Sequence, residues 1–131
     1  MAADFSTPAG ALLALEQAYL VGDIEAAVAA KNFQYEGYAM LANLKSMPNP
    51  DPDLVKEAAH VLELSFRKHM KEKGFPKMAN LRSRVAATKQ LAPDLVEITE
   101  EFTYPDGFVS QETVHAAKSG DSWGIVTLPS K

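Results

Sequence analysis

Cysteine is absent from all 131 residues, and that absence excludes disulfide frameworks, thiolate metal sites and a cysteine nucleophile. No stretch approaches the ~18 unbroken apolar residues that a membrane-spanning helix needs. The opening MAADFSTPAG lacks the basic region and apolar run of a secretory signal, so a cytoplasmic protein without membrane contact is expected. The seven glycines stand singly, which leaves no phosphate-binding loop, dinucleotide fingerprint or nucleophile elbow. Basic charge is also scarce, for the formal net charge is −4, and a main partner made of nucleic acid needs a basic face. What is present is ordinary for a soluble globular chain: 47% hydrophobic and 23% charged residues, with a length suited to one domain, residues 1–131, around one core.

Helix signals fill the first half. Ser6-Thr7-Pro8 offers a capping hydroxyl and a proline at the first helical position, and Leu12, Leu15, Ala18 and Tyr19 recur at helical spacing, so the spacing predicts a helix over 8–21 that Gly22 ends. Asp23 caps a short alanine-rich helix over Ile24 to Lys31. Phe33 to Lys45 reads as a third helix despite Gly37. SMPNPDPD, Ser46 to Asp53, is a loop that closes in a new start, with Asp51 as cap and Pro52 at the first position. The longest helix, about Pro52 to Lys73, follows with Leu54, Ala58, Val61, Leu62, Ser65 and Phe66 as its apolar stripe and Gly74-Phe75-Pro76 as its stop.

After Pro76 the period changes from helical to two. Leu81, Ser83, Val85 and Ala87 alternate with Arg82, Arg84 and Ala86, and Val96, Ile98, Glu100, Phe102 and Tyr104 alternate with Glu97, Thr99, Glu101 and Thr103. Strands are expected there. Tyr104 to Phe108 is a tight hairpin signal, and Ser119-Gly120-Asp121 is a second turn, between Phe108–Lys118 and Trp123–Leu128. Helices first and strands after give an α+β fold with an antiparallel sheet wrapped on one face around the helices.

Three stretches carry a resemblance: GDIEAAVAAKNF (Gly22–Phe33), LVKEAAHVLELSFRKHMKEKGFP (Leu54–Pro76) and LVEITEEFTYPDG (Leu95–Gly107). With the closing SWGIVTL, the chain resembles the nuclear-transport-factor-2-like, cystatin-like α+β superfamily over nearly its whole length, and those three stretches are similar to immunity proteins of bacterial polymorphic toxin systems. The resemblance implies N-terminal helices packed on a curved antiparallel sheet of about four strands that forms a cone, with the break at Gly22-Asp23 letting the second helix cross the cone's open end. It also implies a non-enzymatic protein that binds and neutralises a cognate toxin, without cofactor or metal, and a homodimer formed through the sheet. The alternative within the superfamily is a small-molecule binder or a cofactor-free isomerase or dehydratase, since ketosteroid isomerase and scytalone dehydratase use carboxylates, Tyr or His inside the cone.

Candidate residues divide between those two readings. For an enzyme, Glu100 shares its strand face with apolar residues, where a carboxyl acquires a raised pKa suited to acid–base work, with Tyr104 on the same alternation and His115 as a base or shuttle. The plainer alternatives carry Glu100 to solvent on a bulge or strand end, or pair it with Arg82 or Arg84, and leave His115 half exposed on the sheet. For a binder, charge segregation is the signal: seven Lys or Arg against Glu72 between Phe66 and Arg84, then six acids and no base between Asp94 and Glu112. Glu97, Glu101, Asp106 and Glu112 would steer a basic toxin, unless neighbouring strands let the two groups neutralise one another. His60 and His69 fall on opposite sides of their helix and cannot share a metal; Glu57, His60 and Glu63 share a face without a fourth ligand.

Overall fold

The computed structural model describes residues 4–43 and 49–128; positions 44–48, which include the end expected for the third helix and part of the following loop, lie outside the described residues. Helices α1 (Pro8–Val21), α2 (Ile24–Ala29), α3 (Phe33–Ala42) and α4 (Pro52–Lys73) precede strands β1 (Arg82–Ala92), β2 (Leu95–Thr103), β3 (Val109–Ser119) and β4 (Ser122–Val126). The strands form one antiparallel sheet in the order β1-β2-β3-β4, so the α+β class is as expected.

Every described helix starts on the capping residue that its sequence supplies. Thr7 Oγ1 accepts from the Gly10 amide at 3.0 Å, an Asp23 carboxylate oxygen from Ala26 at 3.1 Å, Asn32 Oδ1 from Tyr35 at 2.9 Å and an Asp51 carboxylate oxygen from Asp53 at 2.8 Å. Gly22 ends α1 at φ 72°, the left-handed conformation that glycine adopts without strain. Gly37 sits inside α3 for a different reason. A Cβ there would lie 2.9 Å from the Ala59 nitrogen and 3.0 Å from the Val55 carbonyl oxygen, so its missing side chain is what lets α4 lie directly on α3.

Helix α2 is shorter than its alanine run. Ala30 to Asn32 leave it to run beside β4 in parallel: the Ile125 amide donates to the Ala30 carbonyl at 2.8 Å, and the Asn32 amide to the Ile125 carbonyl at 3.0 Å. Gly124 makes this approach fit, since a Cβ there would stand 2.9 Å from Asn32. The break at Gly22-Asp23 therefore turns the chain into α2, whose end meets the β4 edge of the sheet.

The sheet does not close. Helix α1 crosses its inner face from the β4 side, where the Trp123 amide donates to the Phe5 carbonyl at 2.8 Å, to the β1 side, where Ser83 meets Glu16. Leu12, Leu15 and Ala18 of α1 fill the space that a cone would enclose, against Val96, Ile98, Ala116 and Ile125. Helix α4 packs on α3 and α2, and Phe66 reaches Phe33 edge-on with ring centroids 5.5 Å apart. Strand β1 packs chiefly against β2; from Ala86 to Leu91 it is exposed on both faces. Two bulges, at Val85/Ala87 and Gln90/Ala92, interrupt it and increase its local twist.

Candidate functional site

Alternation along β2 turns Val96, Ile98, Glu100 and Phe102 inward, and Glu100 is only 3% exposed. Its register partners are Val85 on β1 and Glu112 on β3. Helix α1 adds Glu16, four residues after Leu12 and three before Tyr19 and hence at the margin of the buried stripe. The Ser83 hydroxyl donates to Glu16 Oε1 at 3.0 Å, and Glu100 shares a hydrogen bond with Glu16. Two carboxyl groups can share a hydrogen bond only when one keeps its proton. Burial above all, then the bond to Glu16 and its charge, then the charge of Glu112, push Glu100 up to about 9 against the pull of Ser83. At neutral pH, Glu100 is a buried carboxylic acid beside the half-buried Glu16 side chain.

The other groups of the enzymatic reading are not brought to this acid. His115 belongs to the opposite strand face, with its Nε2 3.6 Å from Glu97 Oε2. Tyr104 lies beyond the end of β2, 39% exposed, with its ring 5.6 Å from that of Phe108. The hairpin turn itself carries it off the inner face: the Tyr104 amide donates to the Phe108 carbonyl at 2.8 Å, and Gly107 turns the chain at φ 89°. Glu100, Tyr104 and His115 thus point to three environments.

The acidic residues are divided as well. Glu97 and Glu101 share the outer face, Asp106 is at the hairpin tip where its carboxylate accepts from the Phe108 amide at 3.0 Å, and Glu112 is on the inner-face set beside Glu100. Arg84 Nε donates to Glu101 at 2.9 Å and holds its carboxyl below the ordinary range, so one cross-strand neutralisation does form. Arg82 stands opposite Thr103 and meets no acid in register. On α4, Glu63 is bound by Arg67, which also grips Glu25 at 2.6 Å. Among the described residues no three His, Asp or Glu gather as a metal would need.

A second buried charged group holds the α2–α3 junction. Lys31 Nζ lies 2.7 Å from Glu36 Oε2, with both side chains 7% exposed. It donates to Thr127 Oγ1 at 3.1 Å, the Thr127 amide donates to Glu36 at 3.1 Å, and the rings of Phe33 and Phe66 each lie 5.6 Å from the ammonium. These contacts clasp α2–α3 to the end of β4. Beside it an open cleft of about 560 Å³ runs between Phe33, Lys56, His60 and Trp123.

Sequence reasoning missed Glu16, Ser83, Lys31 and Glu36. Glu16 had a readable signal, being the one acid at the edge of an otherwise apolar helix stripe. The Lys31–Glu36 pair had none, because the turn that unites them is set by Ile125 at the other end of the chain.

Compared with family models, with curated proteins and with solved structures, the chain gives no significant match in any of the three.

Proposed function

We propose that the chain is a non-enzymatic binding protein of the bacterial immunity type, built on the nuclear-transport-factor-2-like plan, that acts in the cytoplasm by covering a cognate toxin. The observation that carries this is the β2–β3 hairpin. Tyr104, Phe108 and Val109 are 39%, 62% and 48% exposed, and the rings of Tyr104 and Phe108 lie 5.6 Å apart. Exposed aromatic pairs are the side chains that anchor protein interfaces. Asp106 at the same tip and Glu97 on the adjoining face supply the acidic charge that steers a basic partner, while Glu101 is taken by Arg84. A dimer through the outer face would cover Thr99, Thr103, Gln111 and Thr113 and compete with the toxin for it.

The test is capture from the native host with tagged protein at low and moderate salt, followed by assay of the captured partner's toxicity. The expected result is one stoichiometric partner whose toxic activity the chain suppresses, with suppression lost in Tyr104→Ser/Phe108→Ser. A captured partner whose activity is unaffected sinks the proposal. The second reading, acid–base catalysis, draws on the Glu16–Glu100 pair alone. Suppression that survives Glu100→Gln favours the binder, because an enzyme with Glu100 as its acid would lose its activity.

A further inference from the structure

The free edge of β1 points to a second interaction surface, which adjoins the hairpin at Arg82 and runs away from it. Among the described residues no strand pairs with β1 on the side away from β2, so its outward amide and carbonyl groups are left to solvent along an eleven-residue strand. Register places Arg82, Arg84, Ala87 and Lys89 opposite Thr103, Glu101, Thr99 and Glu97. The three cations are therefore in one row on the outer face. Glu101 takes Arg84, while among the described residues neither Arg82 nor Lys89 has a carboxylate at ion-pair distance. The alternate set, Val85, Thr88 and Gln90, lies opposite Glu100, Ile98 and Val96 on the inner face.

We propose that this edge receives an extended acidic segment of a partner protein as a fifth strand. A strand laid there places one face against the cation row and the other beside Val85 and Thr88, so the fitting sequence alternates Glu or Asp with small apolar residues. A second copy of this chain is the wrong occupant. Its β1 would bring a like row of cations against the first, and the two bulges break the flat register that self-pairing uses. The segments that remain regular, Arg82 to Val85 and Ala87 to Gln90, set the docking length to a short strand.

The probe is a capped synthetic peptide of alternating glutamate and valine, compared with its lysine counterpart and with a glutamate version carrying proline at alternate positions. Amide exchange and fluorescence anisotropy at low salt are the readouts. The glutamate peptide is expected to bind, to slow amide exchange within residues 82–92, and to lose about tenfold or more in affinity on adding salt or proline. The Arg82→Glu/Lys89→Glu protein should prefer the lysine peptide, a gain that misfolding does not produce. Equal binding of both peptides, protection confined to the hairpin, or no binding at low salt would each overturn the proposal. Because the probe is synthetic, this outcome is independent of whether a toxin partner exists.

Discussion

Replacing Glu100 by glutamine should stabilise the protein above pH 5 and flatten its dependence on pH. The folded carboxyl is pushed up to about 9 from its ordinary 4.5. Below 4.5 the proton is bound in both the folded and the unfolded chain, and the contribution is constant. Between 4.5 and 9 only the folded chain holds it, so stability falls as pH rises, by roughly 3 kcal/mol from pH 5 to pH 7 for the full shift. Glutamine does not ionise and still offers an N–H to the Glu16 side chain. Urea unfolding followed by Trp123, the single tryptophan, at pH 5, 6, 7 and 8 measures the difference between the two proteins, in which titrating groups away from Glu16, Glu100 and Glu112 cancel. The stability gap should widen steadily in favour of Glu100→Gln. A gap that stays constant with pH, or a natural protein that gains stability from pH 5 to pH 7 relative to the variant, refutes a protonated Glu100.

Three other outcomes are expected. Gly37→Ala should lower stability by about 1–3 kcal/mol in urea unfolding, since its Cβ meets α4 backbone at 2.9 Å and this outweighs the ~1 kcal/mol propensity gain; a higher midpoint would show that the helices separate freely. Lys31→Met should cost about 3–5 kcal/mol by stranding the Glu36 carboxylate, and adding Glu36→Gln, which keeps an acceptor for the Thr127 amide, should restore much of it; a double variant no better than the single would deny the pairing. Arg84→Ala should change stability by under about 1 kcal/mol in the same unfolding assay, because the Arg84 side chain is 66% exposed.

Local signals reach the helix starts and the strand alternation because those are decided within a few residues. Thr7, Asp23 and Asp51 each cap with an atom that their own neighbours need, and β2 turns Glu100 inward by parity alone. Where the structure departs from expectation, a distant segment competes with the local preference. Helix α2 ends at Ala29, although Ala30 and Lys31 are adequate helix formers, because the sheet edge at Ile125 offers their backbone better partners. Gly37 weakens a helix by its own propensity and is needed there because Val55 and Ala59 approach so closely.

The candidate site follows the same division. Glu100 is legible from its strand, but its proton state depends on Glu16, eighty-four positions earlier in the chain, and on Glu112, which register alone brings alongside. Parity likewise separates His115 from Glu100, since residues of opposite alternation in paired strands face opposite sides. Tyr104 leaves the inner face because the turn takes over one residue before the alternation would have returned it inward. That single residue matters for function: had β2 continued, a tyrosine would stand near a buried acid, and the fold would hold two of the groups an acid–base catalyst uses. Instead the tyrosine ring lies 5.6 Å from that of Phe108 at the hairpin, 39% exposed and away from the buried acid.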